Sequence, residues 1–246
     1  MLPGDPVLTV LLYGTLAAVT ATAGALPFAV GSKPRESWIG AGDAVASGLM
    51  LGAAYLLAAE GLERGAVATV GGAVGGVAFT YLTQVWAGLD RLSPAPDHDG
   101  GPDAGYKTIL QNTLHSASEG IAIGVAMVVE LRLGIFMALA LAVHNVGEGL
   151  ALSQFLHHRG MAVADCAGLC AVTKISQPLL AVAAFAVTPA VSGFLPSALG
   201  FAAGALLFLV LSELAPASYQ RTSKTVVAVL LSTATAAVVL LEELFG

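Results

Sequence analysis

Residues 114–129 read LHSASEGIAIGVAMVV, and residues 139–153 read LALAVHNVGEGLALS. Each is an apolar run interrupted by the same two polar side chains, a histidine and a glutamate four positions later: His115 with Glu119, and His144 with Glu148. A spacing of four puts both side chains on one face of a helix. An ionisable group near the centre of a bilayer costs at least about 2.5–3.5 kcal/mol on insertion scales. If these runs cross a membrane, both polar faces must therefore point at protein or water, and the four residues become candidates for function.

The composition says that they do cross one. Of the 246 residues, 57% are hydrophobic and only 11% charged, where a soluble domain carries roughly a quarter charged; the mean hydropathy is +0.83. The apolar residues come in blocks close to the roughly 20 needed for a helix to span the hydrocarbon core. The expected fold is all-α, a polytopic membrane protein with eight spans at roughly 7–30, 39–59, 66–89, 108–129, 133–156, 162–187, 195–217 and 223–243. GSKPRES, SPAPDHDGGPDAG, HHRG, TPAVSGFLP and PASYQRTSK supply the breaks. Residues 1–246 read as one transmembrane domain, with one longer loop at about 90–107. The 29 glycines suit tightly packed membrane helices. MLPGDPVLTV at the start has no basic region, so a cleaved signal peptide is not expected. A net charge of −6 argues against nucleic acid as a partner.

Loop charges set the orientation. Lys33, Arg35, Arg91, Lys107, Arg159, Arg221 and Lys224 fall on one side of the eight spans, and Arg64 and Arg132 on the other. The positive-inside bias makes the first side cytoplasmic, with both termini outside and 90–107 a cytoplasmic loop. At 1.5 Å per residue, His115 then lies about 10 Å in from that side and Glu148 about 12 Å, with His144 deeper. Two antiparallel helices can thus present two imidazoles and two carboxylates to one point. That donor set makes a four-coordinate site for zinc and also suits iron, manganese or cadmium. The structural alternative is that each histidine simply bonds a neighbouring glutamate.

With these residues the chain resembles the ZIP family of divalent-metal transporters, particularly its bacterial and archaeal branch. HSASEG and HNVGEG match the family's fourth- and fifth-helix motifs, commonly H-N-x-P-E-G and H/Q-N-x-P-E-G. GLMLGAAYLLAAEGLE, SQPLLAV and GFAAGALLFLVLSELAP in spans two, six and seven extend the likeness from about residue 40 to the end. The resemblance implies eight helices, outward termini and inverted repeats around central helices 4 and 5, with His115, Glu119, His144 and Glu148 as the principal transport site. It also implies a second, bridged metal, held by the residue after each histidine and by a glutamate before proline on helix six.

At that second position the chain departs from the pattern. Ser116 replaces the usual asparagine, Asn145 is retained, and Gln177 stands where the glutamate would be. Lys174 lies one turn before Gln177 at nearly the depth of the histidines. Either its ammonium supplies fixed positive charge in place of a second metal, or it snorkels towards the cytoplasm or faces another acid. Ser118 and Gly147 stand where the motif prolines would be.

Glu213, near the cytoplasmic end of span seven, and Asp43, at that end of span two, are candidates for the exit path, as the family carries an acid at the former. His98 in the 90–107 loop and His157 and His158 at the end of span five are candidate loop ligands of the kind that histidine-rich loops provide. Cys166 and Cys170 read as small packing residues, and Glu60 and Glu63 as outer-face acids. The leading reading is a non-enzymatic transporter in the cell membrane that carries a divalent metal inward, zinc foremost, with no organic cofactor. Its partners are the metal ion, the lipid bilayer and a second copy in a homodimer. The alternatives are an intramembrane zinc hydrolase, disfavoured because no H-E-x-x-H is present, and a metal-binding homologue with a sensor or structural role.

Overall fold

The computed structural model describes residues 5–31, 34–86, 103–191 and 193–245, and among these there is no strand. Helix α1 (Pro6–Val19) runs through a 3-10 segment (Thr20–Ala25) into α2 (Leu26–Ala29). The rest are α3 (Glu36–Trp86), α4 (Asp103–Val129), α5 (Leu131–His158), α6 (Val163–Thr173), α7 (Ser176–Ala190), α8 (Leu195–Leu209), a π turn (Val210–Leu214), α9 (Ala215–Arg221) and α10 (Lys224–Phe245). Among the described residues, six stretches are long and apolar enough to cross a membrane: Pro6–Ala29, Glu36–Trp86, Leu131–His158, Val163–Ala190, Leu195–Arg221 and Lys224–Leu244. Helix α4 is as long, at 27 residues, but its first half carries Lys107, Gln111, Asn112 and His115. The expectation of a polytopic, all-helical membrane protein is met in this coarse form.

Helix α3 has 51 residues, which laid straight would run about 76 Å, more than twice the hydrocarbon thickness. It does not run straight. Gly65 leaves the helical region at φ 169°, ψ 95°, and Gly61 faces the Thr69 side chain across that break. Residues eight apart on an unbroken helix are about 12 Å apart along the axis, so this contact means that the two arms double back. They coincide with the stretches expected at 39–59 and 66–89, of which residues 87–89 lie outside the described residues.

Three more irregularities each precede a proline. Proline has no N–H to bond the carbonyl four residues back, and its ring crowds that carbonyl. Pro27 follows the 3-10 segment at Thr20–Ala25, Pro178 follows the break between α6 and α7 at Lys174–Ile175, and Pro216 follows the π turn at Val210–Leu214. At the second of these, the Lys174 carbonyl accepts instead from the Gln177 N–H at 3.1 Å. At the third, the Ala215 N–H reaches back five residues to Val210 O. SQPLLAV and LSELAP thus write local unwinding into spans six and seven.

Small residues bring the segments together, as they do where lipid supplies no hydrophobic drive between helices. Gly72 and Gly76 on the second arm of α3 meet the backbone of α8 at Ser197 and Phe201, while Gly200 and Gly204 on α8 meet Thr69 and Ala73 in return. Around the two equally spaced motifs of α4 and α5 the same device recurs: Gly120 abuts the Gln177 backbone of α7, and Gly149 abuts Ala21 of the 3-10 segment. A Cβ at either position would overlap main chain rather than a flexible side chain. Overpacking of this kind costs about 1–3 kcal/mol. Gly149→Val is therefore expected to lower the unfolding midpoint of the detergent-purified protein by several degrees, while Gly147→Ala, at a glycine with open space around it, leaves the midpoint unchanged.

Candidate metal centre

Helices α4 and α5 are joined through one extended residue, Glu130 (φ −154°, ψ 137°). So short a link makes an antiparallel hairpin. Glu119 lies 11 positions before Glu130 and His144 lies 14 after it; His115 lies 15 before and Glu148 18 after. The offset is three residues in both cases. The shared His-x-x-x-Glu spacing therefore becomes two rungs across the hairpin, with histidine opposite glutamate in each and the order reversed between them.

The side chains meet accordingly. His144 Nε2 is 3.1 Å from Glu119 Oε1 and 3.3 Å from Glu148 Oε1. His115 Nδ1 is 3.3 Å from the same Glu148 Oε1. Glu119, His144 and Glu148 form a group whose donor atoms lie within 4.8 Å of one another, close enough to share one metal ion. His115 reaches this group through Glu148. Its other nitrogen, Nε2, stands 2.9 Å from Glu213 Oε2 at an angle outside hydrogen-bond geometry. The imidazole thus stands between the central carboxylate and Glu213.

The carboxylates' remaining oxygens are taken by Lys174. Its Nζ donates to Glu119 Oε2 at 3.0 Å and also to Glu148 Oε2. At 1% exposure the lysine does not snorkel to either surface; the acids it meets are the two glutamates of the site itself. It can do so because Pro178 breaks the helix at Lys174, so the residue sits at the joint of α6 and α7 rather than mid-helix. Two carboxylates against one ammonium leave one net negative charge when both imidazoles are neutral. Glu119, His144, Ser116, Asn145 and Gln177 are all buried at 0–1% exposure, so this charge is held away from water.

The residues of the altered second position also meet, in part. Asn145 Nδ2 donates to Ala17 O at 2.7 Å and to Gln177 Oε1 at 3.0 Å, which ties α5 to α1 and α7. Ser116 Oγ, Asn145 Oδ1, Gln177 Nε2 and His144 Nδ1 are buried and find no hydrogen-bond partner among the described residues. Unsatisfied buried groups are uncommon in folded proteins and call for a cause.

The exit-path candidates divide. Glu213, in the π turn, touches the site through His115 and accepts from the side-chain amides of Gln84 and Gln111. Asp43 is occupied by Arg221, whose Nη1 donates to its Oδ2 at 2.7 Å. Arg221 also lies 3.6 Å from Glu36, which accepts from Gln154 Nε2 at 2.5 Å. His157 and His158 end α5; His157 is exposed, with Nδ1 3.1 Å from Met161 O, and nine residues from Glu148, or about 13 Å along the axis. His98 lies outside the described residues. Cys166 and Cys170 are buried free thiols, as packing residues should be. Glu60 pairs with Arg64 one turn on.

Gln84, Gln111 and Arg221 carry parts of this network that the sequence reading passed over. Gln111 had a legible signal: it lies four before His115 and eight before Glu119, on the same helix face. Gln84 is a polar residue inside an apolar arm, and nothing in its own stretch points at Glu213.

No protein-family model matches the chain. Over 243 residues it is 36% identical to an Arabidopsis thaliana protein named "Putative zinc transporter", a match that covers 96% of this chain and 38% of that protein. Over 113 residues it is 28% identical to a Myxococcus xanthus protein named "Zinc transporter GufA", covering 46% of the chain and 44% of that protein. The chain is a homologue of named zinc transporters. Both names agree with the ZIP resemblance that the two motifs carry, and both are names of transporters, not enzymes. The chain spans about two fifths of the length of these zinc-transporter relatives.

Asn145 joins three segments of this zinc-transporter homologue through one buried amide. Truncating it removes one of two side-chain donors from the Ala17 carbonyl, which keeps the Thr20 hydroxyl at 2.6 Å. It also leaves the Gln177 amide oxygen without its Asn145 partner, at a cost of about 1–3 kcal/mol for the buried group so stranded. Asn145→Ala is expected to lower the unfolding midpoint in detergent clearly, whereas Asn112→Ala, which loses one bond within its own helix, lowers it little.

Proposed function

We propose that the protein is a ZIP-family transporter that carries divalent transition-metal ions, zinc foremost and also cadmium, iron or manganese, across the cell membrane into the cytoplasm. The observation that carries this reading is the convergence of His144 Nε2 with one oxygen from each of Glu119 and Glu148 in the buried interior of a membrane-type helix assembly. Imidazole nitrogen with carboxylate oxygen is a donor set for these ions. The two acids also offset the cost of holding a doubly charged ion away from water. The names of the two relatives support the same substrate class.

In this reading the two arms of α3 and helix α4 cross the bilayer along with the other long helices, which makes eight spans related as inverted repeats about α4 and α5. The exposed apolar side chains of α3, α7 and α10, such as Val74, Leu179 and Leu240, then face lipid or the second copy of a homodimer, and both termini lie outside. The entire stretch 1–246 works as one transport domain, with the connection between α3 and α4 on the cytoplasmic side; the stretch expected as a loop at about 90–107 ends earlier, since α4 already begins at Asp103.

The substrate sheds water, takes donors from Glu119, His144 and Glu148, and is joined by His115, whose Nδ1 already faces Glu148. Release follows the polar contact that leads on from His115 towards Glu213. Rocking of one helix group against the other alternates access to a site that itself stays put. Gln84 and Gln111 hold Glu213 in readiness, and the Arg221–Asp43–Glu36 cluster ties α9 to α3.

Purified protein in liposomes tests this with a metal-sensitive dye inside. Zinc influx is expected in the wild type, reduced at least tenfold in His144→Ala and Glu119→Gln, while exchange of both Cys166 and Cys170 for serine leaves it within about twofold. Absence of zinc, cadmium, iron and manganese flux from well-folded protein contradicts the reading.

A further inference from the structure

We infer that the Lys174 ammonium is the transport site's built-in second cation, which keeps one pair of carboxylate oxygens while a single transported ion takes the other pair. The inference deepens the transport-site reading above and rests on it. Each carboxylate is divided the same way. Oε1 of Glu119 and Oε1 of Glu148 face His144 Nε2 at 3.1 and 3.3 Å, and Oε2 of each faces Lys174 Nζ. A metal ion among His144 Nε2 and the two Oε1 atoms therefore need not displace the lysine. The ammonium and the ion would bridge the same two carboxylates side by side, each on its own pair of oxygens.

Lys174 has nowhere else to go. Its side chain is 1% exposed, Glu119 is fully buried, and no other acid lies within ion-pair reach of its Nζ among the described residues. Held there, it gives the carboxylates a partner when the carrier is empty and bars a second divalent ion when it is loaded. The surrounding polar atoms agree with a vacated ligand role. Ser116 Oγ and Asn145 Oδ1, on the residues that follow the two histidines, are buried acceptors with no partner among the described residues, and Gln177, which follows Lys174 by three, offers a neutral amide.

Zinc bound per chain decides the matter, measured by equilibrium dialysis and elemental analysis of the detergent-purified 246-residue chain. The Glu119→Gln, Glu148→Gln double variant serves as the blank for zinc held elsewhere, such as at His157 and His158. One zinc per chain above the blank is expected for the wild type and for Lys174→Arg, which keeps the charge, and two for Lys174→Met, which removes the charge but keeps the bulk. Two zinc ions above the blank in the wild type overturn the inference without any variant. So does a single zinc of unchanged affinity in Lys174→Met. No zinc above the blank in wild-type protein sinks the transport-site reading itself and the inference with it, a result distinct from either of the others.

Discussion

Two carboxylates share one ammonium and one imidazole nitrogen in the interior of the protein, and the remainder of the architecture serves that arrangement. Removing one partner from such a buried pair leaves an uncompensated charge and costs about 3–5 kcal/mol. Glu119 and Glu148 come from α4 and α5, but the charge that balances them comes from a third segment. The site therefore exists only if α6 and α7 dock against the hairpin at the right depth. Gly120 against the Gln177 backbone, three residues from Lys174, sets that approach. Gly149 against Ala21 and Asn145 on Ala17 O fix the opposite side.

The hairpin explains why one motif occurs twice. With a single-residue link, equal spacing on two antiparallel helices gives crossed rungs: His144 with Glu119, and His115 with Glu148. Yet the two rungs are not equivalent. The first is closed and dry, with both residues at 0–1% exposure. The second is looser, with side-chain exposures of 8% for His115 and 12% for Glu148, and it opens through His115 towards Glu213. In the proposed transport reading, the tight rung would hold an ion and the looser, polar one would give the direction in which it leaves. The π turn that carries Glu213 is a local widening of the kind often found at functional positions, and Pro216 gives it a cause in covalent structure.

Much of this was written in the sequence, because a membrane enforces simple rules. Apolar runs of the right length marked the helices, Gly65 fell between two of them, and charges interrupting such runs marked the site. Pairwise spacing put the four principal residues on facing helix surfaces. What the chain could not reveal alone was which oxygen meets which partner. Lys174 was legible as an anomaly, but its choice between surface and acids depended on where the break before Pro178 pointed it. Asp43 read as a candidate for the exit path, but its pairing with Arg221 depends on the docking of α9 against α3 and was not legible. Gln84 and Glu213 lie 129 positions apart, and only the doubling back of α3 at Gly65 and its packing on α8 bring them together.

The division of the carboxylate oxygens between an ion and a lysine is open to direct observation. Diffraction from crystals grown with cadmium, recorded with its anomalous signal, would locate every bound ion independently of the protein phases. The account predicts one peak at the centre, within bonding distance of His144 Nε2 and of Oε1 on both Glu119 and Glu148, with Lys174 Nζ still on the opposite oxygens. A central peak on the Oε2 side with the lysine withdrawn, or two central peaks in place of one, would contradict it.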